Sequence, residues 1–406
     1  MNFRALLPYF ASVLLTVPGV ALRFFPCEMS PLLLALLSGL AILGASFLLT
    51  WACEVAQLDM PQALALAVVA FIAVLPEYAV DMYFTWMAGQ HPESSYSHYA
   101  IANMTGANRL LIGLGWSLLV LVFAARYRRQ VHLTSDKRTD IVFLGMATLY
   151  ALIIAFKGSL TVWDGAILLG IYIWYMSIIA RRDVEEEEIG GPAAVLAGMR
   201  HRHRMLAEAS LFLFSAFVIV CNAEPFSENL VASGKVLGVN EFLLVQWLAP
   251  IASEAPEFIV SLMFAFRGMP GLALGSLLAS KLNQWTLLVG MIPGVYAASS
   301  GGITPSIPLD AHQLLEILLT AAQSFFAMAL LLDLCLRTRE AILLLALFCA
   351  QLLAPLYEMQ FEAAFGLVHD PLRLHWIYSW VYLGLGVLWF VMHRKGLKNL
   401  RLGFRV

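Results

Sequence analysis

The sequence predicts an all-α polytopic membrane protein. About twelve transmembrane helices are expected, arranged as an inverted repeat of five plus five helices with one extra helix at each end. Three observations predict this. Hydrophobic residues make up 61% and charged residues 13% of the 406-residue chain, whereas a soluble domain carries about 25% charge. Apolar runs close to the spanning length of about 20 residues recur in both halves. Lys and Arg collect in alternate connections, as the charge bias of membrane topology requires.

The first six runs fall roughly at 5–24, 31–55, 61–88, 98–124, 140–156 and 162–180. The second six fall at 206–232, 240–266, 270–297, 311–335, 340–356 and 374–393. Arg126, Arg128, Arg129, Lys137 and Arg138 lie between the fourth and fifth runs, and Arg181, Arg182, Arg200, Arg202 and Arg204 between the sixth and seventh. Arg337 and Arg339 follow the tenth run, and Arg394, Lys395, Lys398, Arg401 and Arg405 follow the twelfth. Segments 89–97 and 298–310 contain no Lys or Arg. Both termini and the even-numbered connections are therefore expected in the cytoplasm of a multi-pass cell-membrane protein.

The expected organisation is an extra N-terminal helix over 1–30, a first repeat over 31–180 and a cytoplasmic linker over 181–205. A second repeat over 206–356 and an extra helix with a basic tail over 357–406 complete it. Arg4, an apolar run and Gly19-Val20-Ala21 also resemble a signal peptide, but Arg23 and the charge bias favour a retained helix. The linker, with Glu185 to Glu188 followed by Gly190-Gly191-Pro192, reads as a solvated segment. A net charge of −2 offers no basic face for nucleic acid. The five cysteines are scattered and form no metal or disulfide framework. No GxxxxGK[ST] motif is present, and neither an enzymatic activity nor a resident cofactor is expected.

Two Pro-Glu pairs interrupt long apolar stretches. LPEYAVD runs from Leu75 to Asp81, and APIASEAPEFIVS from Ala249 to Ser261. A carboxylate at a membrane-helix centre costs about 2.5–3.5 kcal/mol on insertion scales, so Glu77 and Glu257 need a function. Pro76 and Pro256 each remove a backbone donor beside the charge and are expected to break the helix there. Broken helices with acids at matched places in two halves are a transporter's way of building a midplane cation site. The charge bias starts the third span from the cytoplasm and the eighth from outside, so the repeat is inverted. Asp81 lies four residues after Glu77, and Glu254 three before Glu257, so each pair shares a helix face.

The helix after each Pro-Glu pair carries small and polar residues inside an apolar run. Ala102, Gly106, Arg109 and Gly113 form one stripe, and Gly275, Ala279 and Thr286 another. Such stripes permit close helix approach. Packing does not account for Asn103, Asn108, Arg109, Ser276, Ser280, Lys281, Asn283 and Gln284.

These motifs resemble the sodium/calcium exchanger family of the cation/Ca2+ antiporter superfamily. The family's GTSLPE-like motif appears as IAVLPE (Ile72 to Glu77) and ASEAPE (Ala252 to Glu257). Its GNxxGSNxxN-like motif appears as ANMTGANRLL (Ala102 to Leu111) and GSLLASKLNQ (Gly275 to Gln284). The resemblance implies alternating access with Glu77 and Glu257 as the central Ca2+-binding acids. Asp81, Glu254, Asn103, Ser253, Ser276 and Ser280 would add ligands, in keeping with the six to eight oxygens Ca2+ takes. Asn108, Arg109, Lys281 and Gln284 would tune the site.

The departures are informative. The Thr-Ser pair that the family uses for sodium is Ala73-Val74 in the first repeat and Ser253-Glu254 in the second. Later ligand positions are Leu111 and Gln284, and Lys281 stands where Asn108 stands in the first repeat. Glu77, Asp81, Glu254, Glu257, Arg109 and Lys281 together carry −2. Arg109 and Lys281 either fill former sodium sites or neutralise Asp81 and Glu254 as buried pairs; the cost of stranding a buried charge favours the second.

The expected function is secondary antiport of a cation, Ca2+ first, against H+ or Na+. One alternative is a monovalent (Na+ or K+)/H+ antiporter, and another is a transport-inactive sensing or structural protein with the same fold. The expected partners are the transported cations and the lipid bilayer; nothing bears on the oligomeric state. Glu54, Asp164, Glu208, Glu241, Glu316 and Asp333 lie near helix ends and read as interfacial, and the histidines show no zinc-site spacing.

Overall fold

The computed structural model describes residues 3–25, 27–59, 74–181, 189–302, 306–365, 370–397 and 403. Apart from four two-residue strands, its regular elements are helices. Among the described residues, ten helical stretches are long and apolar enough to cross a membrane. The protein is a multi-pass membrane protein.

The chain begins with α1 (Phe3–Phe24) and α2 (Pro31–Ala56). Residues 60–73, the start of the third expected span, lie outside the described residues. The remainder of that span is α3 (Leu75–Gln90). Next come α4 (Tyr96–Leu110), a π-helical segment Leu111–Trp116, α5 (Ser117–Tyr127), α6 (Arg138–Ala155) and α7 (Val162–Ile179). A short α8 (Ala193–Ala197) precedes α9 (His201–Leu237), which starts inside the expected linker. The chain continues with α10 (Glu241–Phe266), α11 (Pro270–Asn283), a second π-helical segment Gln284–Leu288, and α12 (Val289–Ser300). It ends with α13 (Ala311–Leu330), α14 (Thr338–Phe365) and α15 (Arg373–Met392).

Two compact units are distinguishable, and each draws on both halves of the sequence. The first comprises Met1–Asn103 and Met176–Glu257, the second Met104–Tyr175 and Phe258–Val406. In the first, α2 packs along α9 and α1. Small residues permit this: Gly39 lies against the Phe226 ring, and a Cβ at Gly44 would fall 2.5 Å from the Ser12 carbonyl. One buried cluster joins Val80 and Phe84 of α3, Tyr99 and Ala102 of α4, Phe226 and Leu230 of α9, and Val245 and Ala249 of α10. Leu14, Leu213 and Val220 are exposed, as lipid-facing residues of a spanning protein are.

In the second unit α13 packs against α6 and α15, and α14 against α5 and the first π segment. Two miniature antiparallel sheets tie its connections. Strand β1 (Val131–His132) pairs with β4 (Cys335–Leu336), in register Val131 with Leu336. Strand β2 (Ser159–Leu160) pairs with β3 (Ile307–Pro308), in register Ser159 with Pro308. β1 and β3 precede the penultimate helix of each expected repeat, and β2 and β4 follow it. Exchanging the repeats therefore maps one sheet onto the other, which is consistent with an inverted repeat.

Candidate functional site

In the first unit, α3 places three polar groups on one face at successive turns: Glu77, Asp81 and Thr85. Glu77 is 1% exposed, and Asp81 and Thr85 are fully buried. The helix begins at Leu75, so Pro76 occupies the first turn, where its missing N–H is no loss. Asp81 Oδ1 accepts a hydrogen bond from Asn103 Nδ2 on α4 at 2.7 Å. Asp81 Oδ2, Asn103 Oδ1 and Thr85 Oγ1 are buried and have no hydrogen-bond partner among the described residues. Buried polar atoms are nearly always satisfied, so three open oxygens beside a second carboxylate form a donor set suited to a hard cation.

The matching acids lie on α10, in the same unit. Glu254 is buried and Glu257 half-buried. Ser253 is buried, its hydroxyl donating to the carbonyls of Ala249 and Pro250, each at 3.3 Å. The expected break at Pro256 is not seen. α10 continues from Glu241 to Phe266 through both Pro250 and Pro256. A proline's fixed φ is itself helical, and α10 absorbs the lost hydrogen bond and the ring's crowding of the preceding turn without ending.

The tuning residues belong to the second unit. Asn108 donates to the Met104 carbonyl at 2.8 Å, and its Oδ1 accepts from Lys281 Nζ at 2.6 Å. Lys281 Nζ also donates to the Asn108 carbonyl at 3.2 Å and sits 4.6 Å from the Trp285 ring centre, a cation–π contact. Arg109 is buried; its Nε donates to the Thr105 carbonyl at 3.4 Å and its Nη2 to Glu316 Oε2. Within the first unit Asn103 holds Asp81, and within the second Glu316 holds Arg109. Gln284 and Ser280 are buried in this unit, whereas Ser276 is exposed.

Two further acids stand out: Glu316, and Glu228, whose place deep in the seventh apolar run suits either a cation contact or structural pairing. Glu316, expected at an interface, is 2% exposed inside the second unit. Its signal was HQLLE at the start of α13, which puts His312 and Glu316 one turn apart. In the first unit Glu228 Oε1 accepts hydrogen bonds from Tyr83 at 2.7 Å and Tyr96 at 2.6 Å. These bonds join α9 to α3 and α4 beside Phe84 and Tyr99.

Comparison with known proteins places this geometry. The family described as sodium/calcium exchanger protein matches residues 29–181 and 208–357, leaving out the linker. The crystal structure of the H+/Ca2+ exchanger CAX is 40% identical, with 99% of this chain and 98% of that chain covered and a TM-score of 0.91. A structure of the sodium-calcium exchanger NCX_Mj is 17% identical, covering 82% of this chain and 97% of that one, with a TM-score of 0.52. That of native YfkE is 13% identical, covering 86% and 98%, with a TM-score of 0.63. The last two show a shared fold alone. No curated protein sequence matches. With both motif regions inside the matched segments and a 40% identical exchanger aligned over nearly its whole length, the chain belongs to the sodium/calcium exchanger family.

Proposed function

We propose that this protein is a secondary antiporter that exchanges Ca2+ for H+ by alternating access, with Glu77 and Glu257 as the cargo-binding acids. The observation that carries this is the α3 face: Glu77 and Asp81 are buried one turn apart, with Asn103 holding only one Asp81 oxygen. Two carboxylates on one buried face need counter-charge, which a divalent cation or protons can supply in turn. Glu254 and Ser253 extend the donor set on α10, and Asn103, Ser276 and Ser280 are further candidate ligands. The Ala73-Val74 pair offers no side-chain oxygens for sodium in the first repeat, and the 40% identical relative is an H+/Ca2+ exchanger. Both favour the proton as coupling ion. Transport of this kind makes and breaks no covalent bond, so no enzymatic activity and no resident cofactor are proposed. The charge bias supports a cell-membrane location with both termini in the cytoplasm.

Reconstitution in proteoliposomes tests the reading. The expected result is Ca2+ uptake driven by a pH gradient, insensitive to a sodium gradient, and abolished by Glu77→Gln or Glu257→Gln. Exchange of Na+ or K+ for H+ without Ca2+ movement would replace it with monovalent antiport. Absence of all flux, with no cation raising the melting temperature, would leave the sensing or structural role.

A further inference from the structure

We propose that the second unit carries a binding site for an imidazole-preferring divalent metal ion of the Zn2+ class, separate from the cargo acids, formed by His312, Glu316 and His375. His312 and Glu316 lie one turn apart at the start of α13, and His375 lies in the first turn of α15. One ligand atom from each of the three falls within 4.8 Å of the others. The two imidazole rings meet edge to face with centroids 4.9 Å apart. His375 Nε2 stands 2.9 Å from Glu316 Oε1.

These distances suit insertion of a metal. With bonds of about 2.0–2.2 Å to nitrogen and oxygen, tetrahedral zinc holds neighbouring ligand atoms roughly 3.3 Å apart. The His375–Glu316 contact therefore needs to open by only a few tenths of an ångström. Three protein ligands leave a fourth position for water, as in open zinc sites. Two imidazoles select against Ca2+, which takes oxygen ligands, and for zinc, copper or nickel.

The surroundings fix the site further. Arg109 holds Glu316 Oε2, so Oε1 is the oxygen turned to the histidines. Orientation of a ligand carboxylate by an outer partner is the usual support of a metal site. Here that partner is a cation, which lowers the affinity while connecting the site to the motif helix α4. His375 Nδ1 is buried and has no hydrogen-bond partner among the described residues, so it can carry the ring proton while Nε2, facing Glu316, offers its lone pair to the metal. His312 and His375 are both only partly buried, which leaves a route for the ion. Once occupied, the site staples α13 to α15.

The test uses untagged, full-length protein in detergent, titrated with Co2+, whose visible absorption intensifies in tetrahedral coordination. The expected result is one Co2+ per chain with intense visible bands, displaced by Zn2+ and left in place by excess Ca2+. Both His312→Ala and His375→Ala abolish the bands, and Glu77→Gln and Glu257→Gln keep them. The two histidine variants leave the Arg109–Glu316 pair intact, and an unchanged melting temperature in the metal-free state verifies their folding. Bands that persist in both histidine variants overturn the proposal. Bands that vanish in Glu77→Gln or Glu257→Gln also overturn it, by placing the metal at the cargo acids. Neither outcome bears on whether the protein moves Ca2+.

Discussion

Lys281 and Asn108 touch each other and stand 173 residues apart, the same spacing that lays the second motif of one repeat over that of the other. Residues related by a two-fold axis meet only on that axis. A contact between two such matched positions is consistent with an inverted repeat. The two π-helical segments begin at Leu111 and Gln284, which the same spacing relates. The sequence departure at this position is then chemically sensible: two asparagines need no countercharge, whereas one lysine can give two bonds to the remaining asparagine. Replacing Lys281 with Met should orphan Asn108 Oδ1 and lower stability by about 1–3 kcal/mol. Asn108→Leu should cost more, because it takes an acceptor from a buried charge. Thermal denaturation of the two variants in detergent measures the order; a more stable Asn108→Leu would contradict it.

Arg109 and Glu316 form a pair of which both members are 2% exposed. Removing one partner of such a pair typically costs about 3–5 kcal/mol, since the other charge is left in a poor solvent. Glu316→Gln should thus melt well below the wild type. The double variant Arg109→Met with Glu316→Met should recover most of the loss, because apolar groups of similar volume often match a buried pair. A double variant as unstable as Glu316→Gln alone would show that the pair itself stabilises the fold.

How far these features could be read from the chain depends on the range of the interaction. The spans and the buried acids of the α3 face are set by local hydropathy and helical spacing, and they were legible. The linker's end was less so: His201 to Arg204 read as a polar connection, yet they open α9, because Arg204 finds Asp59 at the end of α2. The partners of Arg109 and Asp81 were not legible. Asn103 and Glu316 are reached across the fold from neighbouring helices, and only packing brings them to Asp81 and Arg109. Proline was misleading at Pro256 for a related reason. Its local cost, about 3 kcal/mol from a lost hydrogen bond and ring crowding, is outweighed by the packing that keeps α10 helical.

Gly165 on α7 and Gly290 on α12 mark a close backbone approach in the second unit. A Cβ at Gly165 would lie 2.5 Å from the Gly290 carbonyl oxygen. Backbone cannot swing aside as a side chain can, so Gly165→Ala should separate the helices and destabilise by about 1–3 kcal/mol. Gly170 and Gly294 have open space where their Cβ would sit. Alanine there should be neutral or slightly stabilising, because helix propensity favours it. Comparing the three melting temperatures separates local packing from a general glycine effect.

Asp59 provides the pH-dependent contact of the first unit, outside the spanning segments. Arg204 Nε donates to its Oδ2 at 2.6 Å, Arg204 Nη2 donates to Oδ1, and His201 Nδ1 lies 2.8 Å from Oδ1. The hydrogen bonds from Arg204 pull the Asp59 carboxyl down from 3.8 to about 2. A carboxylate with a depressed folded-state pKa binds protons more readily when unfolded, so its contribution is complete above about pH 4 and is lost as pH falls toward 2. Asp59→Asn should therefore melt lower than the wild type at pH 6, where the wild-type carboxylate is charged. The two melting temperatures should converge as the pH approaches 2. A constant gap over that range would mean that the contact holds α2 to α9 by shape and neutral hydrogen bonding, with no part played by the charge.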